Sequence, residues 1–219
     1  MKKSISILVL LALVTAGAFA IDMSVGGGAL LDLSLNNGLS GSFEGFNFKQ
    51  EIRNTSFGGF VFFDATYAEI DVSFAYGLLK WSGENMGGPG GNTDIDGNLM
   101  QLGFSLLGKY PIDLGMITIS PILGGSYNVV LSGKLTFGGV SVDLKDMEDI
   151  DNVVQDLSQF GVLGGVGVDF PLTSSLYLRG QALFQLRFPM KFFREMAEGP
   201  INATYGMGPR VKVGVGYKF

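Results

Sequence analysis

Taken in steps of two, the chain separates into stretches with one apolar and one polar face. Residues 210–219 show this most clearly. Val211, Val213, Val215, Tyr217 and Phe219 alternate with Lys212, Gly214, Gly216 and Lys218. Strict period two marks a β-strand with two unlike faces. The same rhythm runs through residues 21–35, 68–81, 99–110, 117–131, 160–170 and 176–188. In residues 68–81, for example, Ile70, Val72, Phe74, Tyr76 and Leu78 oppose Glu69, Asp71, Ser73, Ala75 and Gly77. Residues 55–64 make one more stretch, with Phe on both faces. The pattern predicts eight strands.

The connectors alternate in length. Residues 36–54, 82–98, 132–159 and 189–209 read as long loops rich in Gly, Asn or charge. Residues 64–67, 111–116 and 171–175 read as short turns. Long loops on one side and short turns on the other belong to membrane barrels. Strand length points the same way. Tilted transmembrane strands need about 9–11 residues, whereas soluble strands average roughly 5–6. Phe63, Tyr67, Trp81, Tyr110, Phe170, Phe188, Tyr217 and Phe219 fall at strand ends, where aromatic girdles sit at membrane interfaces.

Composition sharpens this reading. The mean hydropathy is positive, yet no segment after the first 20 residues is a continuous apolar run of helix-spanning length. One-sided strands produce that combination. Residues 1–20 read as a cleaved signal peptide: Lys2 and Lys3, an apolar stretch over residues 5–14, then Ala18-Phe19-Ala20. Residues 21–219 are then the barrel with its four long outer loops. Without the leader's two Lys, 13 basic residues face 20 acidic ones. That balance argues against a nucleic-acid partner. The chain has no Cys, so disulfides do not stabilise it.

The ending on Tyr217 and Phe219 resembles the C-terminal signal that outer-membrane barrels present to their assembly machinery. The mature chain as a whole resembles the small eight-stranded outer-membrane barrel families: the OmpX type, the OmpA transmembrane domain and the OmpW type. Leader, strand and loop rhythm and Phe219 carry the likeness. It implies an all-β, single antiparallel up-and-down transmembrane β-barrel in the outer membrane. Ten strands remain open, because residues 132–159 have room for a further hairpin. Implied partners are outer-membrane lipid, periplasmic chaperones and the barrel assembly machinery, around a monomer. The likeness is one of architecture and carries over no functional residue.

A charge facing lipid is costly, so the charged faces are expected inside. That assigns Asp32, Glu69, Asp71, Lys109, Asp169, Arg179, Arg187 and Lys212 to the lumen. Gln101, Ser105, Thr118, Ser120, Ser126, Asn128, Gln181 and Gln185 join them. An eight-stranded barrel is just wide enough for side chains to fill, so the expectation is a plug of paired charges. Phe60, Phe62, Ile122, Leu163 and Leu183 also fall on inward parity and form a candidate lining for a small hydrophobic ligand.

Catalysis has little support. The chain has no His, which removes Ser–His mechanisms and Cys/His metal clusters. Glu69 and Asp71 share a face, but two acids on one strand read as lumenal polar filling. No cofactor site is expected. In the third loop, Ile150, Val153, Val154 and Leu157 follow a helical spacing, and residues 190–196 read as another helical turn. The leading expectation is a non-enzymatic surface anchor whose loops bind an extracellular partner. Its rivals are a narrow transporter for small hydrophobic molecules and a soluble periplasmic calycin-like barrel with its faces reversed.

Overall fold

A computed structural model describes residues 22–43, 46–84, 93–137, 139–146, 157–189 and 201–219. Eight long antiparallel strands form the molecule: β1 (Met23–Phe43), β2 (Phe46–Ala65), β3 (Ala68–Glu84), β4 (Thr93–Lys109), β5 (Thr118–Phe137), β6 (Gln159–Pro171), β7 (Leu176–Arg187) and β8 (Gly206–Lys218). Each pairs with the next, and β8 pairs back onto β1, which closes the ring.

The registers give the stagger of the ring. From Val25 the paired positions run Phe63, Ile70, Leu106, Gly125, Val162, Leu186, Met207 and back to Leu35. One circuit therefore slips ten residues along β1. With about 3.3 Å per residue and about 4.8 Å between strands, the tilt is roughly 40°. Phe160 and Phe170 stand ten residues apart on β6. That spacing is about 25 Å of height at this tilt, the height of a membrane barrel's apolar band.

Parity puts the apolar residues outside. Val25, Leu31, Phe57, Val61, Ile70, Phe74, Leu106, Leu123, Val166, Phe184, Val213 and Val215 are all exposed. The opposite parity is buried and polar: Ser24, Asp32, Ser56, Glu69, Asp71, Ser73, Ser105, Ser120, Ser126, Arg179, Gln181, Gln185, Arg187, Arg210 and Lys212. A soluble calycin-like barrel needs the reverse arrangement, so the surface rules out that rival. Phe63, Tyr67, Tyr110, Phe170, Tyr217 and Phe219 ring the short-turn end in exposed positions. Phe160, Phe188 and Tyr205 stand exposed at the other edge, with Tyr127 against Phe160 and Tyr205 against Phe188. Trp81 is a correction to the expected girdle. It lies on the inward parity of β3 and packs against a buried apolar cluster.

The strands run further than their apolar pattern. Residues 36–54, expected as a loop, belong almost wholly to β1 and β2, paired up to Phe43↔Phe46. Residues 201–204 extend β8 upward, pairing with Gly38–Gly41 in the register that β8 keeps with β1. The expected hairpin in residues 132–159 exists, with Val140–Asp143 folding back on β5. It adds no ninth wall strand among the described residues, so the ring stays at eight. Of the helix expected within residues 143–158, Leu144–Asp146 form one 3-10 turn and Leu157 lies in a turn, while Ile150, Val153 and Val154 lie outside the described residues, as do the turn at 190–196 and the leader.

Two one-residue bulges mark a change of environment. One falls on β1 between Ser34 and Asn37, the other on β5 opposite the step from Met100 to Gln101. A one-residue slip turns every later side chain to the other face. On β1 the odd residues Leu31 and Leu35 face outward, but Leu39 beyond the bulge is buried. On β5 Leu123 and Leu131 face outward, and Leu135 is buried. Above the bulges, Leu39, Ile52, Leu79, Ile95, Leu99, Val130, Leu135 and Leu144 form an inner apolar cluster, with Leu157 against it. The outward face there carries Lys49, Arg53, Lys80, Asp96 and Lys134. This outer part is built like a soluble protein, apolar inside and charged outside.

Lipid contact of the lower wall is testable at Val213, which is 59% exposed at the middle of β8. Val213→Lys is expected to cost about 2–4 kcal/mol at the bilayer midplane. Denaturant unfolding in phospholipid vesicles checks this, and an unchanged stability would mean that the face does not meet lipid.

Candidate functional site

The lumen is the candidate site, and its charges are paired in tiers. At the short-turn end Arg179 on β7 is the hub. Its Nε and Nη2 donate to both oxygens of Asp169 at 2.7 and 2.6 Å. Nη1 donates to Glu69 at 2.8 Å and Nη2 to Asp64 at 2.5 Å. One guanidinium thus ties β7 to β6, β3 and β2. Its planar fork suits such multidentate pairing. Lys109 also pairs with Asp64, and Gln181 donates to Glu69 at 3.0 Å. A vestibule of about 270 Å³ opens below this hub, lined by Ser24, Asp64, Lys109, Tyr177, Arg179 and Lys218 among others.

Aromatic rings brace the hub. The Arg179 guanidinium lies 4.5 Å from the Phe62 ring centre and 5.0 Å from that of Tyr177. The Tyr177 hydroxyl bonds Ser24 at 2.7 Å. These large rings fit because their register neighbours are glycines: Gly26 beside Phe62, and Gly216 beside Tyr177. A Cβ on Gly216 would stand 2.1 Å from the Tyr177 ring, and one on Gly26 2.5 Å from that of Phe62. The Gly runs of β1 and β8 therefore make room for aromatic filling on β2 and β7.

One level up, Lys212 donates to Asp71 at 2.6 Å, with the Phe60 ring 5.2 Å from its ammonium. Both charged residues are 0% exposed. Above them, Asp32 takes two arginines. Arg187 donates to one oxygen at 2.5 Å, and Arg210 donates to the other from Nε and Nη2 at 2.8 and 2.5 Å. Arg210 also reaches across to Asn128 on β5 at 3.2 Å, and Gln185 donates to Ser126 at 2.7 Å.

All eight charged residues singled out from the sequence lie on the inner wall in these tiers. Reading the sequence missed Asp64 and Arg210. In the sequence Asp64 reads as part of a turn, and Arg210 as the start of a strand. The signal was parity: Asp64 follows Phe60 and Phe62 in steps of two, and Arg210 precedes Lys212. Of the candidate ligand lining, Phe60 and Phe62 carry cations on their faces. Ile122, Leu163 and Leu183 pack with Leu107 into a separate buried cluster. Glu69 is paired with Arg179 and Asp71 with Lys212.

A closed even-stranded antiparallel ring, an apolar outer band between aromatic rims, short turns at one end and a paired polar interior define a membrane-spanning β-barrel of the outer-membrane type. No protein-family model and no curated protein matches the chain. Among solved structures, Neisserial surface protein A is similar at 15% identity over 90% of this chain and 97% of that chain, with a TM-score of 0.40. Ail, the attachment invasion locus protein of Yersinia pestis, is 12% identical over 92% of this chain and 100% of its own, with a TM-score of 0.40. A major outer membrane protein from Thermus thermophilus is 16% identical over 92% and 100%, with a TM-score of 0.37. These likenesses concern the fold.

Removing one member of a buried ion pair strands its partner, at about 3–5 kcal/mol. Asp32→Ala strands two guanidiniums, so a loss of at least that size is expected in denaturant unfolding of the folded barrel. A loss near that of a surface substitution would mean that water reaches this tier freely.

Proposed function

We propose that this chain is a non-catalytic surface protein of the outer membrane. Its lower wall anchors it among outer-membrane lipids, and its outer end binds an extracellular partner. The observation that supports this reading is the continuation of the sheet beyond the lipid band. β1 and β2 are 21 and 20 residues long, about twice what a membrane crossing needs. Where they project, the outward face turns from Phe57 and Val61 to Arg53 and Lys49, with Glu51 between them at 3.2 and 3.6 Å. A paired hairpin with its own apolar core is a rigid platform, and rigid elements hold binding groups better than free loops.

The rival reading is passage of small hydrophobic molecules. It draws on the apolar cluster at the outer end, but the tiers of paired charge below that cluster would stand in the path. Replacing residues 38–52 by a short turn is expected to leave a heat-modifiable folded barrel that no longer binds host-type surfaces or soluble partners. Vesicles carrying the intact protein are expected to swell in small solutes no faster than empty ones. Faster swelling, or binding that survives loss of the hairpin, would overturn the surface-anchor reading.

Periplasmic chaperones and the barrel assembly machinery deliver such a chain to its membrane, and we assign Tyr217 and Phe219 to that step. Phe219 also donates its N–H to the Met23 carbonyl at 3.1 Å, across the closing seam. Deleting residues 217–219 is expected to reduce the membrane-inserted fraction severalfold. Insertion at the intact level would remove the assignment.

A further inference from the structure

We propose that the upper polar tier holds a small inorganic anion, of chloride size, beside Arg210. The first observation is charge. Arg187 and Arg210 share Asp32, so this tier carries one positive charge more than its paired carboxylate balances. The tier below it, Lys212 with Asp71, is neutral by itself. The hub at the short-turn end has three carboxylates, Asp64, Glu69 and Asp169, against Arg179 and Lys109. The excess positive charge therefore sits at one height, with its counterpart on the far side of a neutral pair. Above it lies the apolar cluster of Leu39, Leu99 and Val130, which offers no carboxylate.

The second observation is independent of charge. Arg210 is 1% exposed, and its Nη1 has no hydrogen-bond partner among the described residues. The amide nitrogen of Asn128 is also buried and unpartnered among them, although its oxygen accepts from the same guanidinium at 3.2 Å. Ser56, paired in register with Asp32, has a buried hydroxyl in the same condition. All three of these groups can donate, and two of them cannot accept. Buried donors find partners in folded proteins. An acceptor that serves several donors and carries the missing negative charge is an anion. Gly103, the register partner of Asn128, has no side chain of its own, which lets the Asn128 and Ser73 side chains lie over it and keeps Asn128 turned toward Arg210. A Cβ there would come within 2.9 Å of the Asn128 oxygen and 2.5 Å of the Ser73 hydroxyl. The three donors lie on β8, β5 and β2, and those of β8 and β5 belong to side chains that already meet across the lumen at 3.2 Å.

Water is the other candidate occupant, and the test separates the two. Crystals of the folded barrel equilibrated in bromide at about 0.15 M, near physiological ionic strength, are expected to show an anomalous peak within hydrogen-bond distance of Arg210 Nη1. In detergent, the unfolding midpoint is expected to be higher in chloride than in gluconate at equal ionic strength. Asn128→Asp builds the negative charge into the wall, so it should remove both the peak and the chloride effect while keeping the Arg210 contact. No bromide peak together with equal midpoints in the two salts would overturn the proposal in favour of water. A peak seen only at molar bromide, without a chloride effect, would mark an adventitious ion only and overturn it as well. Should Asn128→Asp not fold, the peak and the salt comparison on the unaltered protein decide alone.

Discussion

A strand has two faces, and in a bilayer lipid takes one of them. Within the lipid band, every charge on the membrane-crossing strands is therefore forced into a lumen about as wide as its own side chains. A charge confined there must meet its opposite or lose its hydration uncompensated. The tiers around Arg179, Lys212 and Asp32 are the consequence. They are links between walls rather than decoration of one wall. Arg179 joins β7 to β2, β3 and β6; Lys212 joins β8 to β3; Arg210 joins β8 to β1 and β5. The glycines on β1 and β8 belong to the same constraint. Without side chains there, the neighbouring strands can send Phe62 and Tyr177 across the lumen to cover the hub.

The membrane ends partway up the sheet, and the chain changes its internal grammar there. Below the bulges the outward face is apolar and the charged residues look inward, beside buried rings and the small cluster around Leu163. Above them the order reverses, with Leu39, Ile52 and Leu135 inside and Lys49, Arg53 and Lys134 outside. On β1 and β5 a single extra residue performs the reversal without changing the odd-numbered spacing of the leucines. On β2 and β3 there is no such bulge among the described residues; the residue types change instead, from Asp64 and Phe62 to Ile52, and from Glu69 and Asp71 to Leu79. Two devices thus reach one result, a barrel that is a membrane protein in its lower part and a water-facing one above.

This division explains what could be read from the sequence. Within the lipid band, period two carries a strong contrast between apolar and charged positions, so the strands and the inward set were visible. Asp32, Glu69, Arg179 and Lys212 needed nothing but parity. Outside the band the ladder continues, but no lipid demands an apolar stripe. Residues 36–54 then looked like a Gly- and Asn-rich loop although they are paired strand. Trp81 departs from the expected girdle for the same reason. Its place near the end of the apolar pattern suggests a girdle position, but the strand goes on past it and β3 parity turns it inward. The partners across the lumen were beyond reach, because they depend on the stagger of ten residues around the ring. That stagger is a property of the closed sheet, not of any one strand.

The filled lumen and the projecting sheet also depend on each other. A sheet that rises free of the membrane is kept in shape by what holds its base, and an open, water-filled base of eight strands would flex. Here the base is cross-braced at several heights, and the apolar cluster sits directly on the braced section. The same side chains that fill the lumen thereby fix the geometry of the sheet above it. Filling the lumen and holding the outer sheet in shape are, in this architecture, one structural solution.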